Sequence, residues 1–220
     1  MKVLVIAPHP DDEVLGCGGT IAKHVAQKDD VFVAIVTKGC EPIFPESQVK
    51  QVRDECIRAD KFLGVKNIIF MDFPATMLER IPRHEFNAAF VKLVQDIKPD
   101  FVYLPHRGDM QIDHKMTVDS AMVALRPKCS HVVKKIYAYE TLSETGWNLP
   151  NTTNEFIPTT YTDITDYLDK KLEAINFFTS QLNEYPNARS LDSVKALAMY
   201  RGSMMNMKAA EAFALVREIS

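Results

Sequence analysis

Residues 3–7 (Val-Leu-Val-Ile-Ala) are apolar without a break, the pattern of a strand covered on both faces in a parallel sheet. From Val14 the rhythm changes: Val14, Gly18, Ile21, Ala22 and Val25 recur at helical spacing. The alternation then repeats along the chain. Residues 31–36 predict a second strand, and Val49, Val52, Cys56, Ala59 and Leu63 a second helix that Gly64 stops. Residues 68–71 predict a third strand, and Phe86, Phe90, Leu93, Val94 and Ile97 a third helical stripe. A fourth strand at 101–104 leads through a polar loop into a helix carrying Val118, Ala121, Met122 and Leu125, and 136–139 reads as a fifth strand.

Alternating strands and helices over residues 1–140 predict an α/β fold: a Rossmann-like, mostly parallel sheet with helices on both faces and right-handed crossovers. Residues 141–158 read as loop. Beyond them the spacing predicts a helix over 166–182 with Thr165 as its N-cap, and shorter helices over 193–201 and 207–219. These form a C-terminal helical extension within one domain spanning 1–220.

The 220 residues suffice for a sizeable core. A net charge of −3 with a pI near 6.1 provides no basic field for nucleic acid. Cys17, Cys40, Cys56 and Cys129 lie far apart with no CxxC spacing, which argues against a cysteine zinc site and for free thiols in a reducing compartment. The apolar run near the N-terminus is too short for a signal core or a membrane span, so a cytoplasmic location is expected.

The polar residues that end the first strand change the picture most. His9, Pro10, Asp11, Asp12 and Glu13 set an imidazole and three carboxylates at the mouth of a buried strand. Desolvated like charges are costly unless a cation or protons compensate them. Taken singly, acidic residues in a first helical turn suit the helix dipole, and a lone histidine is ordinarily a core or surface residue. A second cluster, His106-Arg-Gly-Asp-Met-Gln-Ile-Asp-His114, follows the fourth strand, and in such sheets functional groups gather beyond the strands' carboxyl ends. His9 and Asp12, three residues apart across a turn, with His114 as third ligand, predict a zinc site that keeps its fourth position for water. Gly16, Gly18 and Gly19 fall inside the first helix, not in the strand-to-helix turn that a dinucleotide fingerprint requires. Close packing is their expected role.

"PHPDDE" with a downstream "DH" at a strand end resembles the PIG-L/LmbE-like family of zinc-dependent de-N-acetylases. "SQLNEYP" at 180–186 and "YRGSMMNMKAAEAFALVR" at 200–217 extend the resemblance over nearly the whole chain. It implies a Rossmann-like fold, Zn²⁺ as cofactor, an N-acetylglucosamine-type sugar or conjugate as substrate, and a homo-oligomer. Carried over by position, His9, Asp12 and His114 are the implied zinc ligands, Asp11 the base on zinc-bound water, and Asp113 an orienting carboxylate. Many members carry a histidine where this chain has Gln111, which donates a hydrogen bond but delivers no proton. Asp11 is therefore expected to return the proton it takes, with His106 as the other source. Arg53, early in the second helix, is a candidate substrate contact, though a solvated helix face is the ordinary fate of such a residue. Glu140, ending the fifth strand, reads as a loop carboxylate. Two alternatives stand beside this reading: an amidase on another small N-acyl compound, and a metal-binding member that has lost catalysis.

Overall fold

The structure, a computed structural model, describes residues 1–128 and 131–220. β1 (Lys2–Ala7) buries every residue after Lys2. Its side chains alternate between two layers: Val3, Val5 and Ala7 enter one core cluster and Leu4 and Ile6 the other. That two-sided burial is the reason the run is apolar throughout. β2 (Asp30–Lys38) and β4 (Phe101–Pro105) flank β1 in parallel, with Val31 and Phe101 both opposite Val3. β3 (Asn67–Pro74) extends the sheet beyond β2, and β5 (Lys135–Tyr139) beyond β4, again in parallel.

α1 (Asp12–Ala26), α2 (Glu46–Leu63) and α5 (Leu168–Asn176) supply Val14, Ile21, Cys56, Leu63, Ala174 and Ile175 to the layer that receives Val3 and Val5. α3 (Arg83–Ile97) and α4 (Ile112–Ala124) supply Phe86, Phe90, Val118 and Ala121 to the opposite layer. α2 stops where Gly64 turns left-handed at φ 94°. The close-packing role expected of the α1 glycines holds at Gly16, where a Cβ would fall 2.2 Å from the ring of Tyr139 on β5. A Cβ on Gly19 would meet Ile164 instead, at 2.8 Å.

The C-terminal region departs from expectation in two places. The helix predicted over 166–182 is a 3₁₀ turn at Thr165–Tyr167 followed by α5, which ends at Asn176, so Thr165 lies in the turn and caps no long helix. α6 (Leu191–Ser203) fulfils the next prediction, with the Ser190 hydroxyl accepting from the Ser193 N–H as a true N-cap. The last predicted helix is a strand. β6 (Thr160–Asp163) and β7 (Ala210–Glu218) pair antiparallel, and β7 also pairs antiparallel with β5, giving the order β3-β2-β1-β4-β5-β7-β6. Ala, Glu, Leu and Arg are good helix formers, but the preference amounts to only a few tenths of a kcal/mol per residue. Burying Ala210, Glu211, Ala212 and Phe213, which pair with β6 while residues from Phe213 onward pair with β5, outweighs that preference. Buried Glu211 accepts from the Gly19 and Thr20 N–H groups and from Lys171 Nζ, tying β7 and α5 to the back of α1.

Cys17 and Cys56 are buried and Cys40 half-buried, all as free thiols; Cys129 lies outside the described residues. No helix among the described residues is long and apolar enough to cross a membrane.

Candidate metal centre

β1 has β2 on one side and β4 on the other, and the chain crosses over β1 to pass from β3 to β4. A crevice opens at such a reversal, outside the carboxyl ends of the two strands. The segment after β1 brings His9 to Glu13 to one rim, and the segment after β4 brings Asp109 to His114 to the other.

Asp11 precedes α1 with φ 116° and ψ −30°, a conformation that costs a residue with a side chain about 1–3 kcal/mol. Its backbone is clamped on both sides. The N–H donates to Glu13 Oε2 at 3.0 Å, and the carbonyl accepts from the N–H groups of Val14 and Leu15. The strain therefore fixes where the Asp11 carboxyl group points, and it assigns Glu13 a structural task in the acidic run.

His9 Nδ1 lies 3.2 Å and His114 Nε2 3.3 Å from the same oxygen, Oδ2 of Asp12. One atom from each of the three residues falls within 4.8 Å of the other two. The remaining ring nitrogens are occupied: His9 Nε2 faces Asp113 Oδ2 at 3.1 Å, and His114 Nδ1 faces Asp109 Oδ2 at 2.8 Å. Asp113 is fixed in turn by the Thr76 N–H at 2.7 Å, and Asp109 by the Thr145 hydroxyl at 2.6 Å. The carboxylates thus select the tautomers that turn His9 Nδ1 and His114 Nε2 toward Asp12. His114 Nε2 and Asp12 Oδ1 are buried with no hydrogen-bond partner. Orphaned buried atoms on an imidazole and a carboxylate, with a second imidazole beside them, are what a divalent ion satisfies, and the donor set suits zinc.

Without an ion, protons do the balancing. Burial disfavours the imidazolium of His9, but its bonds to Asp113 and Asp12 outweigh that and raise it to about 9. His114, likewise opposed by burial, rises to about 10 through Asp12 and Asp109. Burial also opposes ionisation of Asp12, yet His114 and His9 hold it well below the usual carboxylate range. Asp11 behaves differently: burial pushes it up to about 7 against the pull of Arg189. Arg189 Nη1 donates to Asp11 Oδ2 at 2.6 Å, and its Nε to Ser143 Oγ at 2.8 Å.

A cavity of about 410 Å³ opens on this group, lined by His9, Asp11, Gln111, Glu144 and Arg189 together with the apolar Phe44, Val49 and Val52. Of the predicted site residues, His9, Asp12, His114, Asp11, Asp113 and Gln111 are gathered here. Two are not. His106 takes no part in the cavity wall: its Nε2 faces the Asn154 carbonyl at 3.1 Å and its ring packs on Phe156. Arg53 donates to Asp72 at 2.7 Å with its guanidinium 3.9 Å above the Phe70 ring, so those partners occupy it. Glu140 pairs with Arg201 at 2.7 Å. Sequence reasoning missed Asp109, Glu144 and Arg189. Asp109 carried a signal, an acid just before the helix that bears His114. Arg189 and Glu144 reach the site from loops with no motif of their own.

Behind Asp11, Glu13, Cys56 and Asp60 form a second buried group whose ligand atoms also fall within 4.8 Å of one another. Burial lifts Asp60 to about 8 and Glu13 well above the usual range, with each acid reinforced or screened by its neighbours. Burial thus favours the neutral form of both acids, with the Cys56 thiol between them.

Three candidate ligands with a carboxylate beside them match the donor set of a metal-assisted hydrolase. Residues 4–125, which carry both loops, match the family model described as PIG-L: GlcNAc-PI de-N-acetylase. The chain belongs to that family of de-N-acetylases, hydrolases that act on amide bonds. The diacetylchitobiose deacetylase of Thermococcus kodakarensis is 27% identical over 230 residues, covering 98% of this chain and 83% of the relative. Among solved structures, the conserved protein TT1542 of Thermus thermophilus matches with a TM-score of 0.80 at 23% identity, covering 99% of this chain and 96% of that one. The 4-carboxy-2-hydroxymuconate hydratase GalB of Pseudomonas putida matches with the same TM-score of 0.80 at 22% identity, covering 100% and 97%. The fold therefore hosts more than one reaction, and the site has to decide between them.

Proposed function

We propose that this protein is a zinc-dependent hydrolase that removes the acetyl group from an N-acetylglucosamine-type amino sugar or a conjugate of one. One observation carries the reading. The unpartnered His114 Nε2 and Asp12 Oδ1 belong to a cluster with His9, and His9 together with Asp11, whose backbone is strained, lines the adjoining cavity.

His9, Asp12 and His114 would hold the ion. When bound, a zinc ion polarises a carbonyl oxygen and lowers the pKa of a water to about 7. Asp113 and Asp109 keep the two imidazoles in the tautomers that face it. Asp11 takes a proton from the attacking water, and Arg189 fixes the carboxyl group by its Oδ2, leaving Oδ1 without a protein partner. The substrates of the relatives, diacetylchitobiose among them, support an N-acetylated sugar. The cavity has room for a unit of that size and mixes apolar wall with the amides of Gln48, Gln51, Gln111 and Gln181, which suit sugar hydroxyls. The free thiols of Cys17, Cys40 and Cys56 support a reducing compartment, and exposed Met199, Tyr200, Met204 and Met205 support self-association.

The test is acetate release from a panel of N-acetylglucosamine conjugates, with and without a chelator. Chelator-sensitive release from at least one conjugate is expected. Tight zinc binding with no acetate from any N-acyl compound would mark a metal-binding member instead.

A further inference from the structure

Breaking an amide C–N bond requires a proton for the departing nitrogen, because an unprotonated alkylamide is a very poor leaving group. Four residues lining the cavity bear titratable side chains: His9, Asp11, Glu144 and Arg189. Arg189 stays charged and donates no proton. His9 has both ring nitrogens committed, one to Asp113 and one to the metal cluster. Asp11 is the base and holds Arg189 through one oxygen. Glu144 is left. Its Oε2 accepts the Gln111 N–H at 3.1 Å, and its Oε1 has no partner among the described residues.

We propose that Glu144 is the general acid that protonates the leaving nitrogen, an inference that rests on the deacetylase reading above. The turn carrying it is built for precision. Ser143, at φ 72°, takes a bond from the arginine that grips Asp11, and Thr145 donates to Asp109, the partner of His114. The Glu144 N–H closes the turn on the Thr141 carbonyl at 3.1 Å. Three successive side chains thus reach the arginine that holds Asp11, the cavity, and the partner of His114. Partial burial raises the Glu144 pKa, with Asp12 reinforcing that shift and His114 opposing it, so the carboxyl retains its proton at higher pH than an exposed glutamate.

The step balances. Water oxygen bonds to the acetyl carbon and loses a proton to Asp11. The C–N bond breaks with its electron pair going to nitrogen, which takes the Glu144 proton. Amine and acetic acid leave, and the proton on Asp11 returns to Glu144 through solvent. Two carboxyl groups divide the work that a single Asp11 would otherwise do twice.

The experiment compares Glu144→Gln with the parent on two substrates, with zinc content measured in both proteins. One is the N-acetylglucosamine conjugate that the parent cleaves, and the other p-nitrophenyl acetate, whose leaving group needs no proton. Glutamine keeps an acceptor for the Gln111 N–H but carries no acid. Amide hydrolysis is expected to fall at least about 100-fold, the range of a lost general acid, while ester hydrolysis changes less than about threefold and zinc content stays level. An equal loss on both substrates, or no loss on the amide, would overturn the proposal. If Glu144→Gln loses zinc, Glu144→Asp carries the test, since it keeps the acid but withdraws it by one methylene: the amide-to-ester ratio is expected to drop at least about tenfold, and an unchanged ratio would overturn it. A parent that cleaves the ester but no N-acetyl sugar defeats the deacetylase reading, and this proposal with it.

Discussion

Asp109 Oδ2 lies 2.8 Å from Nδ1 of His114, and both side chains are buried. That contact fixes which nitrogen of His114 is left for an ion, and Thr145 secures Asp109 from the far side. Replacing Asp109 with alanine is therefore expected to weaken zinc affinity by about 10–100-fold, read by competition with a chromophoric chelator. An affinity equal to the parent's would show that His114 keeps its tautomer unaided.

Asp11→Asn separates the proposed base from the proposed ligands. Asparagine has the same shape but takes no proton, and Asp11 lies outside the His9, Asp12 and His114 cluster. Zinc content is expected to stay at the parent level while turnover falls by about 100-fold or more. Parallel loss of zinc and turnover would make Asp11 a ligand.

Arg189 is expected to set the pH range of the proposed base. Burial raises the Asp11 carboxyl to about 7, and the Arg189 charge lowers it. A base acts only when deprotonated, so removing the charge in Arg189→Gln should shift the acidic limb of the kcat/KM profile to higher pH. A limb that stays put would mean that the ion pair serves only to position the loop.

Asp60 provides a pH test of stability away from the cavity. Its folded pKa of about 8 lies above the ordinary carboxylate value through burial, while its bond to Cys56 pulls the other way. The native fold thus prefers the protonated acid, a contribution present below about pH 4 and lost as pH rises through about 8. Asp60→Asn has no proton to lose, so its stability relative to the parent should improve between about pH 5 and about pH 8 in urea denaturation. A constant difference across that range would contradict a raised Asp60.

Local signals made much of this legible. The apolar run of β1 and the His9–Asp12 turn are contiguous in sequence, and so are β4 and the loop to His114. One topological rule, that sites gather at strand carboxyl ends, was enough to pair them. What stayed hidden depended on distant partners. Arg189 contacts a residue 178 positions away and lies in a loop whose path no periodicity encodes. Residues 207–219 carry helix-favouring alanines and glutamate, and only β5 and β6 on either side make Ala210–Glu218 a strand. Glu211 illustrates the same point: it reads as an exposed helical acid until Lys171 and the back of α1 are seen to enclose it.

His9, Asp12 and His114 are together proposed to hold one divalent ion. Metal-free protein titrated with Zn²⁺ against a chromophoric chelator tests it directly. The parent is expected to take up one equivalent per chain and His114→Ala none at the same concentrations; a parent that binds no zinc, or a His114→Ala protein that binds it as tightly, would rule out this site.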